Sequence, residues 1–235
     1  MNTKDIVSVN RSELKYEMHP LVALELQNEL DILLQRDAYS AQSSYMVRSL
    51  YFDSVNDIDF SDKYAGVEKR KKIRIRVYSS DAVSGKIELK RKEGNYSYKK
   101  SLNISRNEII MAQKGNYSFL LDYESHTAWD LYTLLNLGCY RPKAIIEYQR
   151  IAFVYPENHI RITLDSQIKS SEGILDLMAD NLTYIPVIDD RVILEVKYDG
   201  TLIKVVSDIL KKYKLTQVSV SKYASGRPIY TKYIL

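Results

Sequence analysis

Cysteine is almost missing from this sequence. A lone Cys139 among 235 residues excludes an intrachain disulfide. Its apolar neighbours Leu135 and Leu137 predict a small buried hydrophobe. Histidine is also scarce. His19, His126 and His159 are too scattered to offer ligand spacing with one cysteine, which excludes a zinc site of that kind. Only 8 Gly and 5 Pro argue against long disordered linkers. No apolar run approaches the roughly 20 residues a membrane-spanning helix needs. Residues 1–5 carry no apolar core of a secretion signal. A soluble, cytoplasmic protein with no transmembrane segment is expected. Charge of one sign is not in large excess either. The net charge is +4, so the total does not by itself demand a polyanionic partner.

What is present is an ordinary globular balance with one bias. Hydrophobic residues make up 45% and charged residues 27%. Tyrosine is abundant, at 20 residues, which suits half-buried strands where a ring is covered and its hydroxyl stays wet. No internal repeat and no domain boundary is evident, so residues 1–235 read as a single domain. Strand character falls at about 7–18, 46–53, 71–79, 85–91, 96–104, 143–154, 159–168 and 191–198. Helices are expected at about 20–35, opening on Pro20 with Leu24, Leu30, Leu33 and Leu34 near one stripe. Others are expected at 106–114, 127–137 and 202–213, with a short segment at 218–223. Ser105 and Glu108 have the spacing of a capping box, and Gly138 can end the helix before it. Gly94-Asn95 and 156–158 are turn chemistry between adjacent strands. The fold class is α+β: an antiparallel eight-stranded barrel with helices packed outside.

Side chains alternate faces along a strand, and here the alternation separates charge from apolar bulk. Arg11, Glu13 and Lys15 oppose Leu14, Tyr16 and Met18. Arg48 alternates with Val47 and Ser49. Lys72, Arg74, Arg76 and Tyr78 oppose Ile73, Ile75 and Val77. Lys86, Glu88, Lys90 and Lys92 oppose Ile87 and Leu89. Arg161, Thr163 and Asp165 oppose Ile160, Ile162 and Leu164. Glu195 and Lys197 oppose Leu194 and Val196. An antiparallel sheet with its charged face in water would give this pattern for any one strand. For the set, the helices need an apolar surface to dock on, which leaves the charged faces pointing inwards. Buried cations of that number require a multiply charged anion along the barrel. Arginine forks match phosphate oxygens and lysine adds point charge. Glu13, Glu88, Asp165 and Glu195 either pair with these cations or hold a divalent metal against phosphate oxygens.

At these residues the sequence resembles the VTC domain family of polyphosphate polymerases, within the triphosphate tunnel, or CYTH-like, superfamily. The matching motifs run in order through nearly the whole chain. They are Arg11-Ser-Glu-Leu-Lys15-Tyr16, Ser49-Leu-Tyr-Phe-Asp53, Lys72-Ile-Arg-Ile-Arg76-Val-Tyr78, Glu88-Leu-Lys90 and Tyr98-Lys99-Lys100. Then come Glu147-Tyr-Gln-Arg150-Ile-Ala-Phe153, Arg161-Ile-Thr-Leu-Asp165, Leu194-Glu195-Val-Lys197 and Ser221-Lys222-Tyr223. The resemblance implies a tunnel fold that moves the γ-phosphate of ATP onto a growing inorganic polyphosphate chain. It implies phosphate contacts and charge stabilisation from Lys15, Arg74, Arg76, Lys90, Lys99, Arg150, Arg161 and Lys222. It places Tyr148 near the nucleotide and Glu195 on Mn²⁺ or Mg²⁺. Arg48, Lys72 and Lys197 join the phosphate-binding set from the strand faces, and Glu13 is a second candidate metal ligand. Lys99 and Lys100 compete for one position, and a one-residue slip inverts the face.

One departure stands out. The wider superfamily often opens with Glu-x-Glu-x-Lys, and Arg11 here replaces the first Glu. That favours a site holding more phosphate over a metal-rich hydrolase. The SPX module and membrane spans of eukaryotic VTC proteins are not in this sequence, so export of product would need a separate membrane partner. Two other readings stay open: a tunnel triphosphatase, and a polyphosphate-binding module without turnover. Nucleic acid is not expected, because few aromatics interleave the arginines.

Overall fold

The structure is a computed structural model that describes residues 11–94, 96–187 and 190–233. Asn95 of the expected turn and the side chain of Arg11 lie outside what is described.

The elements run β1 (Arg11–Met18), α1 (Pro20–Leu33), β2 (Gln35–Arg36), β3 (Tyr45–Asp53), α2 (Ile58–Tyr64), β4 (Lys69–Val77), β5 (Ser84–Glu93) and β6 (Tyr96–Ser105). They continue with α3 (Arg106–Gln113), α4 (His126–Leu137), β7 (Arg141–Tyr155), β8 (Ile160–Ser171), β9 (Ile185–Pro186), β10 (Val192–Asp199), α5 (Lys204–Lys212), α6 (Lys222–Ser225) and α7 (Pro228–Tyr233). All strands join one antiparallel sheet in the order β1-β10-β8-β7-β3-β4-β5-β6, with β2 on β7 and β9 on β8. The eight long strands are those expected. Their closure is not: among the described residues β1 and β6 are the two ends of an open path. The sheet nevertheless curls strongly, because Lys90 on β5 reaches Glu13 on β1 at 3.2 Å. The architecture is therefore a curled, open α+β sheet.

The apolar strand faces point outwards and carry the helices. Ile73, Ile75, Val77, Ile87 and Leu89 pack with Ile109 of α3 and with Ala128, Leu131 and Leu135 of α4. Leu194, Val196, Ile160, Ile162 and Met18 pack with Ala23, Leu26 and Leu30 of α1 and with Val206 and Leu210 of α5. These two layers fix which side of the sheet is concave. A third cluster, including Val47, Tyr51, Ile146, Ile168, Ile193, Phe60 and Tyr223, lies on the inner side, where α2 and α6 cover the sheet.

Local signals held where side chains act locally. Ser105 and Glu108 make the capping box of α3, and Pro20 opens α1. On α1, however, Leu24 and Leu33 are exposed, and the buried stripe is Ala23, Leu26 and Leu30. Cys139 is exposed, against expectation. It takes the left-handed turn after α4, at φ 48°, and Tyr140 behind it is the buried side chain. Gly138 is needed for space, since a Cβ there would run into the Tyr140 ring. Among the described residues no helix is long and apolar enough to cross a membrane.

Candidate functional site

The inner face collects charge from seven strands and one helix. β4 contributes Lys72, Arg74 and Arg76, opposite Glu88 and Lys90 of β5 and Lys99 of β6. β7 contributes Tyr148 and Arg150, and β8 contributes Arg161, Thr163 and Asp165. β10 adds Glu195 and Lys197, which face Lys15 and Glu13 of β1. A bulge in β8, with Gln167 at φ 51°, resets the parity so that Asp165 and Ile168 both face inwards. Lys222 enters from α6.

Each inner carboxylate is surrounded by more cations than it can neutralise. Glu88, 3% exposed, accepts from Arg74 Nε at 2.6 Å, pairs with Lys99, and lies 3.7 Å from Arg76. Burial would raise its pKa, but Arg74, Arg76 and Lys99 together hold it well below the usual carboxylate range. Asp165, fully buried, takes a two-pronged contact from Arg150 at 2.6 and 2.7 Å, and Lys222 at 2.6 Å. Against the opposing effect of burial, Lys222 and Arg150 keep it ionised. The Arg150 and Lys222 cations stand 5.1 and 5.0 Å from the Tyr148 ring centre. Glu195 pairs with Lys197 at 2.9 Å, and Glu13 with Lys15 at 3.0 Å.

Ten cations, Lys15, Lys72, Arg74, Arg76, Lys90, Lys99, Arg150, Arg161, Lys197 and Lys222, thus share this face with Glu13, Glu88, Asp165 and Glu195, and with Asp37, which takes Arg161 NH2 at 2.6 Å. Lys72 shows the excess most directly. Its Nζ donates to Ser221 Oγ at 2.7 Å. Burial, then Lys15, Lys90, Lys63 and Arg74, push its pKa down to about 7. Unspent hydrogen-bonding capacity lies elsewhere on the same face: Arg76 Nε, Ser49 Oγ and Thr163 Oγ1 are buried without a partner. Ser49 and Arg76 are register partners across β3 and β4. Buried polar groups of this kind are normally paired, so the arrangement suits a ligand rich in acceptors.

One expected member belongs elsewhere. Arg48 shares the outer parity of Leu50 and Phe52, where Glu147 takes its Nε at 2.6 Å. The carbonyls of Leu177 and Ala179 take its NH1 at 3.1 and 2.7 Å. Its donors are used in tying residues 177–179 to the back of the sheet, so it is removed from the phosphate-binding set. Lys99 is the inward residue of its pair, and Lys100 binds Asp130 of α4 on the outside at 2.7 Å. Sequence reasoning missed Tyr51, whose hydroxyl accepts from Arg74 NH1 at 3.0 Å. It also missed Ser49 and Ser221. β3 is buried on both faces, so it shows no polar alternation to read.

Glu13 and Glu195 are diagonal neighbours on one face of the adjacent strands β1 and β10. Two carboxylate donors on neighbouring strands beside a phosphate-binding face fit Mg²⁺ or Mn²⁺. Among the described residues no group of three or more His, Cys, Asp or Glu could hold a metal. A hard cation here would complete its shell with phosphate oxygens and water. A cavity of about 560 Å³ opens at one end of β4–β6, around the outward Lys71, Leu89, Arg91 and Lys100, and the inward Lys99 also lines it. The other inner cations and the inner carboxylates lie outside its lining, and the candidate site is the inner groove.

The solved structures similar to this chain include a candidate adenylate cyclase of Bacillus halodurans. It is 15% identical, with a TM-score of 0.55 over 91% of this chain and 96% of that one. A candidate adenylyl cyclase of Hippeastrum, HpAC1, described as having a dominant triphosphatase activity, matches at 16% identity. Its TM-score is 0.53 over 92% of this chain and 95% of that one. At such identities the likeness is one of fold. No curated protein matches the chain. The VTC domain model matches residues 10–230. With the charged groove, its ordered motifs and that match in place, the chain belongs to the VTC domain family.

Proposed function

We propose that the chain is a polyphosphate polymerase that transfers the γ-phosphate of ATP to the end of an inorganic polyphosphate chain held in the groove. The observation that carries this reading is the uncompensated inner charge, epitomised by the depressed Lys72 and the unpartnered Arg76 Nε. A polyanion supplies what those groups lack.

Phosphoryl transfer asks the protein for alignment and charge neutralisation more than covalent chemistry. Arg74, Arg76, Arg150 and Arg161 hold the phosphate oxygens from opposing strands. A terminal phosphate oxygen of the chain attacks the γ-phosphorus. The bond from that phosphorus to the β–γ bridging oxygen breaks, and ADP leaves with the oxygen. The nucleophile is already ionised near neutral pH, so no general base is required. Mg²⁺ or Mn²⁺ on Glu195 and Glu13 would supply further neutralisation of phosphate charge.

The test is incubation with ATP and Mn²⁺ followed by separation of products by size. Long phosphate chains with ADP are expected. Orthophosphate alone would replace the polymerase reading with a triphosphatase, water having taken the nucleophile's place. Tight polyphosphate binding without turnover would replace it with a binding module. Arg74→Ala, with its fold checked by circular dichroism, should lose about a hundredfold or more in rate.

A further inference from the structure

Few aromatics are visible among the arginines in the sequence, but the fold gathers more of them. Tyr39, Tyr45 and Tyr78 form one ring cluster where β3 begins and β4 has just ended. Tyr39 and Tyr78 stack at 5.8 Å with 14° between their planes. Tyr45 lies 5.8 Å from Tyr39 and 6.0 Å from Tyr78. Tyr39 is 71% exposed and Tyr78 40%. Stacked on Tyr78 on one side, a ring so exposed has its other face open to a ligand.

The cluster is continuous with the arginine part of the groove. Arg161 NH2 donates to the Tyr45 hydroxyl at 3.4 Å. Arg150 is the register partner of Tyr45 across β3 and β7. Tyr78 follows Arg76 by two residues along the same chain direction. The groove therefore has a polarity, written along one stretch as Lys72, Arg74, Arg76, Tyr78. At the far end the cations are lysines, with Lys15, Lys90 and Lys63 crowding Lys72. An inorganic triphosphate, alike at both ends, makes no use of an aromatic platform at one of them. A ligand with a flat ring at one end and phosphates at the other does.

We propose that Tyr39 and Tyr78, buttressed by Tyr45, form a nucleobase platform. The triphosphate then enters as a nucleoside triphosphate, with its base on the tyrosines and its γ-phosphate directed towards Lys72. This rests on the phosphate-binding reading of the groove. Stacking accepts any base, because every base has a π-face. ATP and GTP should therefore bind alike.

The test is calorimetric titration of wild type, Tyr39→Ala and Tyr39→Phe with tripolyphosphate, ATP and GTP at one metal concentration. Tyr39→Ala should weaken ATP and GTP about tenfold and leave tripolyphosphate within twofold, which also certifies the fold. Tyr39→Phe should restore nucleotide affinity. Equal losses for all three ligands, or none for the nucleotides, would overturn the platform while leaving the phosphate groove standing. Failure of tripolyphosphate to bind wild type would overturn the groove reading and the platform with it.

Discussion

Lys72 carries a charge that the fold does not neutralise. Its pKa falls from 10.5 in a free side chain to about 7, first through burial and then through neighbouring cations. Below about 7 both folded and unfolded chains hold the proton. Between about 7 and 10.5 only the unfolded chain does, so this residue's contribution makes the folded state more stable as pH rises through that window. A bound polyanion favours the charged form and returns the proton. Titration with tripolyphosphate about one pH unit above that value should therefore take up protons, read from calorimetry in buffers of different ionisation enthalpy. Lys72→Met should abolish most of the uptake. A wild type that binds without it would place Lys72 away from the ligand. The sequence made Lys72, Arg74 and Arg76 legible because Ile73, Ile75 and Val77 alternate with them. It misled at Arg48, which sits on a strand buried on both sides and answers to Glu147, 99 residues away. Lys99 and Lys100 were undecidable locally, and the partner that separates them, Asp130, lies on a distant helix.

At the scale of elements, the long strands and the capped helices were legible because their signals are local: period-two alternation, a capping box, a proline at a helix start. α6 was not. It is four residues long, and what holds it comes from far along the chain. Lys222 meets Asp165, and the Tyr223 hydroxyl donates to Asp53 at 2.7 Å. Tyr223 also stacks on Tyr51 at 5.0 Å. The segment approaches the sheet closely enough that a Cβ on Gly226 would overlap Ile146 and the Lys222 carbonyl. Gly226→Ala should cost about 1–3 kcal/mol in thermal or denaturant unfolding. It should also weaken tripolyphosphate binding by displacing Lys222. Gly173→Ala, where a Cβ meets nothing within 4 Å, is the matched control and should change neither.

For the whole molecule, alternation plus the need to dock helices was enough to orient the charged faces of β1, β4, β5, β8 and β10, while it misled at β3 and left β6 undecided. It was not enough to say whether the ends of the sheet meet, because closure depends on strand tilt and stagger around the full circuit. They do not meet among the described residues, and the Glu13–Lys90 pair spans the gap. An exposed pair of this kind contributes about 0–1 kcal/mol, far less than a ladder of backbone hydrogen bonds. The edge of β6, and that of β1 away from its bridge to Gln217, should then exchange their amide hydrogens sooner than β7 in the middle of the sheet. A tripolyphosphate held by Lys15 on one side and by Lys90 and Lys99 on the other would slow exchange at those edges more than in β7. Uniform slowing would mean the protein closes the seam unaided. On the expected outcome the substrate is also a structural member: the ring is completed by the molecule it encloses, and the empty protein is the looser state.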